Sequence, residues 1–151
     1  MSAPSPLPNA AKSKVHRNIA GLGLLLFFTS LAMPAMRLDN GEVWPGSQVL
    51  MSGWLGPFIG QFGWYANPFF VTAVVFIFLR RAGWAAAFTV LALVFAVTSG
   101  MILNAVIPLD EANVRKAKMI GFGPGFYVWF TALATPLLGL FFRPTAPRAG
   151  N

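Results

Sequence analysis

The sequence contains no cysteine. Disulfides, thiolate metal sites, iron–sulfur clusters and cysteine nucleophiles are thereby excluded. Histidine is almost as scarce. The single one, His16, stands in a basic segment near the N-terminus, where it reads as a solvated residue beside headgroups rather than a haem or metal ligand. Negative charge is the third scarcity, confined to Asp39, Glu42, Asp110 and Glu111. Ser30, Ser47, Ser52 and Ser99 have no histidine partner and no Gly-x-Ser-x-Gly elbow, so serine hydrolysis is not supported. No Gly-Lys-Ser phosphate loop occurs either. The expectation is a non-enzymatic protein with no catalytic residue, no metal and no cofactor.

Apolar residues fill the space these absences leave. Of 151 residues, 56% are hydrophobic and 10% charged, with a mean hydropathy of +0.65. Soluble domains carry about 25% charged residues, so most of this exterior is expected to face lipid. The length suits one domain. The net charge of +7 raises nucleic acid as a partner, but the distribution argues against it. Lys12, Lys14 and Arg17, then Arg80 and Arg81, then Arg115, Lys116 and Lys118, then Arg143 and Arg148 sit in short groups at the ends of apolar runs. That is how a membrane protein punctuates its spans.

The apolar runs predict an all-α integral membrane bundle of four transmembrane helices with an interfacial or re-entrant segment. The spans fall at about 19–36, 62–79, 82–104 and 119–142. Residues 1–17 read as a flexible basic cytoplasmic tail, 18–143 as the membrane domain and 144–151 as a second cytoplasmic tail. The first run, Ile19 to Met36, would reach about 27 Å, near the hydrocarbon thickness. A signal peptide cleaved near Ser30-Leu31-Ala32 is the rival reading of that run, although the apolar stretch continues past Ala32. The last run opens on "MIGFGPGFYVWF", so its regular helix is expected to start near Pro124.

"GWLGPFIGQFGWYANPFF", Gly53 to Phe70, is greasy yet broken by glycine and proline. Asn67 fits an N-cap with Pro68 in the first turn, but a helix from Pro68 to Leu79 would cover only about 18 Å. A span kinked at Asn67-Pro68, preceded by an interfacial segment at 47–61, resolves this; a fifth span over Ser47–Gly63 is the alternative. Trp44, Trp54 and Trp64 would lie in the headgroup zone. The segment reads as an elbow. With the N-terminus inside, seven basic residues face the cytoplasm and Arg37, Arg115, Lys116 and Lys118 face out, which obeys the positive-inside rule. Both termini are then cytoplasmic.

No ionisable group falls within a predicted span, which argues against ion-coupled transport or proton pumping. In "DEANVRKAK", Asp110 and Glu111 are expected to pair with Arg115, Lys116 and Lys118 on a short amphipathic helix rather than hold a cation. Gly56 and Gly60 have the spacing of a close helix contact, within the chain or between copies. The stretch Gly121–Phe130 offers glycine amides beside Tyr127 and Trp129. It reads as an aromatic belt or as half of a lipid or quinone headgroup site facing Trp54 and Trp64. The residues singled out for packing or lipid binding are Trp54, Gly56, Gly60, Trp64, Asn67, Pro68, Gly123, Tyr127 and Trp129.

Two motifs carry a resemblance. Ser52-Gly53-Trp54 with Trp64-x-Ala66-Asn67-Pro68, and Gly123-x-Gly125-Phe126-Tyr127-x-Trp129, resemble a widespread group of small uncharacterised bacterial multi-span inner-membrane proteins. The similarity spans most of the chain after Ile19. It implies a bacterial cytoplasmic membrane and brings no reaction or ligand.

The leading functional expectation is an accessory or structural subunit, packed against a larger membrane complex or its own copies, with membrane lipid as its other partner. The alternative is a binder or carrier of a lipid, quinone or other small apolar molecule. A small oligomeric channel lined by Thr89, Thr98, Ser99 and Asn104 is the third.

Overall fold

The computed structural model of the chain describes residues 8–109 and 114–138. The order of elements is α1 (Pro8–Ala32), β1 (Pro34–Leu38), β2 (Val43–Pro45), α2 (Gly46–Ser52), α3 (Ala66–Phe78), α4 (Ala82–Thr98), β3 (Val106–Pro108), β4 (Lys116–Phe122) and α5 (Pro124–Leu138). Short 3-10 turns at Gly53–Ile59 and Gly63–Tyr65 join α2 to α3, and another at Ser99–Ile102 follows α4.

Four helices form the bundle, with α1 packed on α5, α3 on α4 and α4 on α5. Small residues make these contacts. Ala85, Thr89, Ala92 and Ala96 form the buried face of α4, while Trp84, Val90, Leu91, Val94 and Val97 are exposed. α3 buries Ala66, Phe70, Ala73, Val74 and Ile77, and α1 presents Ala20, Gly23, Phe27 and Ser30 inward. A side chain at Gly23 would collide with Thr135, so α1 and α5 approach closely only because this position is glycine. Phe27 stacks on Phe70 at 5.4 Å, tying α1 to α3.

At one end of the bundle lies an antiparallel sheet in the order β2-β1-β4-β3. Alternation makes β4: Lys116, Lys118 and Ile120 are exposed, and Ala117 and Met119 are buried. The buried residues join Met36, Leu38 and Ile107 in a second small core. Asp39 locks the register. Its backbone N–H donates to the Lys118 carbonyl at 2.9 Å, and its Oδ1 accepts from the Lys118 N–H at 2.9 Å. Gly41, at φ 86°, closes the β1–β2 turn. Because β1 directly follows α1 and β4 directly precedes α5, those two helix ends meet beneath the sheet. The α3–α4 turn, with Arg80 and Arg81, is at the opposite end of the bundle.

This sheet overturns the expected all-α bundle of four spans. Among the described residues only Lys14–Ala32 and Ala82–Ile102 are helices long and apolar enough to cross a membrane; Gly63–Phe78 is apolar but shorter. The run at 19–36 ends early, because Pro34 forfeits a helical N–H and disfavours helix at Met33. The run at 119–142 begins as strand, and its helix starts at Pro124. Within "DEANVRKAK", Lys116–Lys118 are strand, not amphipathic helix, and Arg115 pairs with Glu42 at 3.3 Å. Asp110, Glu111, Arg143, Arg148 and the 144–151 tail lie outside the described residues. At the N-terminus α1 already begins at Pro8, inside the stretch read as a loose tail.

Candidate functional site

The elbow, the sheet and the upper ends of the helices do not close on one another. They leave between them an open-mouthed cavity of about 430 Å³. Its roof is the inner face of the sheet, with Ala35, Met36, Trp44, Ile107 and Phe122. One wall is the end of α1 and the start of α5, with Ser30, Leu31, Gly125, Phe126 and Trp129. The other is the elbow, from Val49 and Leu50 through Gly53, Gly56, Gln61 and Gly63 to Trp64 and Asn67, completed by Ser99 and Ile102 after α4.

Local sequence explains each wall. Pro57 and four glycines keep 53–63 out of α-helix and in tight turns. Gly60, at φ 74°, ends the first turn, and the Gln61 N–H donates back to the Gly56 carbonyl at 2.8 Å. Gly53 lies against the Trp64 ring so closely that a side chain there would overlap it. In the opposite wall Phe122 and Phe126 stack with centroids 4.0 Å apart, carrying the aromatic surface from β4 into α5.

Asn67 is the joint between the walls. Its Oδ1 accepts from the Trp129 indole N–H at 2.8 Å, and its Nδ2 donates to the Trp64 carbonyl at 2.9 Å. The Trp64 indole N–H in turn donates to the Leu50 carbonyl at 2.9 Å. This chain of three hydrogen bonds connects α2, α3 and α5. It also consumes the polar groups of both tryptophans, leaving their rings to line the space. Ser30 Oγ is committed too, donating to the Phe27 carbonyl at 2.6 Å. Gln61, Ser99 and the Trp44 indole differ: none of these side chains hydrogen-bonds to another described residue. No titratable side chain lines the cavity among the described residues, and no cluster of metal-ligating side chains occurs among them.

Of the nine residues singled out from sequence, Gly56, Trp64, Asn67 and Trp129 line this cavity. The other five do not. Trp54 is 56% exposed on the outer side of the elbow, and Tyr127 is 61% exposed on the outer face of α5. Pro68 sits exposed in the first turn of α3, which starts at Ala66, so Asn67 braces rather than caps that helix. Gly123 packs on the Pro34 carbonyl, where a Cβ would collide. Gly56 lies within the Gly53–Ile59 3-10 turn, packed on Gln61 of its own chain, and Gly60 ends that turn. The segment at 47–61 is accordingly α2 plus this turn, a wall of the cavity. Sequence reading missed Gln61 and the sheet that forms the roof. The alternation Lys116–Ile120 was the available signal for the roof.

The channel candidates are scattered. Thr89 is buried in the bundle and donates to the Ala85 carbonyl, Thr98 donates to the Phe95 carbonyl, and only Ser99 lines the cavity. Asn104 occupies a left-handed turn at φ 68°. No protein-family model, curated protein or solved structure matches the chain.

Proposed function

We propose that this is an integral membrane protein that binds a small, uncharged, largely apolar molecule in the cavity beneath its sheet. The observation that carries the reading is a space of about 430 Å³ walled by aromatic and aliphatic side chains, with no titratable group among the described lining residues and with the Trp64 and Trp129 indole N–H groups already bonded. The apolar lining favours an apolar occupant, at roughly 25 cal/mol per Å² of apolar surface removed from water. Water is a poor filler, because each molecule needs two to four polar partners and the walls offer few. A hydrocarbon body fits.

A membrane setting is supported by the outward face of the bundle. α4 buries alanine and threonine and exposes valine, leucine and tryptophan, an arrangement favourable in lipid and unfavourable in water. The cavity would lie at the level of the headgroups, within reach of molecules dissolved in the bilayer. The bacterial cytoplasmic membrane, with the N-terminus cytoplasmic and the sheet outside, is the proposed location. The reading is tested by gentle detergent purification, solvent extraction and mass spectrometry. One retained neutral species per chain is expected, reduced in Ala35→Leu and Val49→Phe, which fill the cavity from two sides. Equal retention in both folded variants would refute it.

A second reading, an accessory subunit or self-associating protein, is favoured by one feature. Met51 is 76% exposed beside Trp54, and Leu55 and Phe58, which line the mouth of the cavity, are 46% and 82% exposed, a patch suited to lipid or to a protein partner. Cross-linking at native expression distinguishes these: a discrete adduct through the patch supports a partner, and a monomer favours lipid.

A further inference from the structure

Resting on the cavity-binding reading, we infer that the bound molecule is a neutral amphiphile whose single compact head, a carbonyl or hydroxyl group, hydrogen-bonds to Gln61 and Ser99. Of the other polar side chains in the lining, Trp64 and Trp129 are bonded to backbone and to Asn67 respectively, Asn67 to the Trp129 indole and the Trp64 carbonyl, and Ser30 and Ser52 to their own helices. The Trp44 indole N–H in the roof makes no hydrogen bond to another described residue and remains as a further donor. Gln61 and Ser99 line the same cavity, are half-buried and make no side-chain hydrogen bond to another described residue. Gln61 lies two residues before Gly63, which packs directly on the Ser99 hydroxyl and admits no side chain of its own. An amide can donate and accept, and a hydroxyl can do both. Together they satisfy one carbonyl or one hydroxyl. A charged head is excluded by desolvation, since no counter-charge lines the space among the described residues. The remainder of the wall is ring and hydrocarbon, which demands an apolar body.

An isoprenoid quinone can offer one ring carbonyl and a diacylglycerol its free hydroxyl to this pair, and the experiment separates them. Full-length protein in phosphatidylcholine nanodiscs is titrated with decylubiquinone, read by quenching of tryptophan fluorescence. Dioctanoylglycerol, headless dodecane and anionic decanoate are then added as competitors. Saturable quenching is expected, with decanoate at neutral pH at least about tenfold weaker than the neutral heads. Gln61→Leu and Ser99→Ala should each weaken the head-bearing probes about five- to tenfold and leave dodecane competition unchanged. Competition by dioctanoylglycerol as strong as by unlabelled quinone assigns a glyceride; its failure assigns a quinone. Either supports the shared chemistry. Equal losses for headed and headless probes, no loss in either variant, or decanoate binding as tightly as the neutral probes would overturn the head site while leaving the cavity reading intact. Absence of saturable binding by every probe, dodecane included, would instead refute the cavity reading beneath it.

Discussion

Replacing Asn67 by alanine removes a side chain that, alone among the described residues, bonds to both walls of the cavity. Two hydrogen bonds are lost, from the Trp129 indole at 2.8 Å and to the Trp64 carbonyl at 2.9 Å. Each is worth about 1 kcal/mol net, and a donor left without a partner adds to the cost, so Asn67→Ala is expected to destabilise by about 2–3 kcal/mol. Trp129→Phe removes only the indole donor and part of the ring, and should cost about 1–2 kcal/mol. The double variant isolates the bond itself. Interhelical hydrogen bonds in lipid average about 0.6 kcal/mol by such cycles, and a half-buried charge-free pair in water gives about 1 kcal/mol. A coupling of about 0.5–1.5 kcal/mol is therefore predicted. Reversible unfolding in mixed micelles, followed by far-ultraviolet circular dichroism, provides the free energies. Strictly additive variants, with coupling under about 0.3 kcal/mol, would refute the claim that this bond joins α3 to α5. Asn67→Asp adds a directional control: it keeps the acceptor for Trp129 but turns an acceptor, and a charge, toward the Trp64 carbonyl. It should be no more stable than Asn67→Ala near neutral pH.

Glu42→Gln should change stability by less than about 1 kcal/mol, because the Glu42–Arg115 contact of 3.3 Å joins side chains that are 43% and 67% exposed; chemical unfolding at low and high salt measures it. Affinity for a neutral probe should vary less than about twofold from about pH 5 to about pH 9, since no titratable side chain lines the cavity among the described residues; fluorescence titration at three pH values checks this. The lack of native cysteine makes topology accessible. With the sheet outside, Asn40→Cys should react with an impermeant maleimide in intact cells and Gly83→Cys only after permeabilisation.

Much of the bundle was legible because helical apolar runs announce themselves by length and composition. The start of α5 at Pro124 follows from proline's fit to a first helical turn. The elbow was legible as a break, since Pro57 and the glycines around it forbid a long helix. Its consequence was not. Whether a bent apolar segment lies in the interface, packs on a second copy or walls a cavity depends on what stands opposite. The opposite side is a sheet assembled from Met36, Ile107 and Phe122, residues far apart in sequence.

The sheet itself was half visible. Lys116 to Ile120 alternates polar and apolar with a period of two, yet the charges of "DEANVRKAK" also satisfy helical i+4 pairing, and that local pattern is what a sequence reading weighs first. The partner strand settled the competition. β1 offers Met36 and Leu38 to the same small core and Asp39 to the Lys118 backbone, pairings about eighty residues apart that no local rule contains. In the site, the tryptophans and Asn67 stood out by type, while Gln61 did not and Ser99 did so only as a channel candidate. Their interest lies in having no protein partner, which is a property of the folded arrangement.

The most direct measurement is a crystal structure grown in a lipidic mesophase, with the density between Trp64 and Trp129 as the readout. Elongated density without a charged group, its polar end against Gln61 and Ser99, is the predicted result. Walls collapsed together, or the same space filled by an ordered water network, would contradict the account.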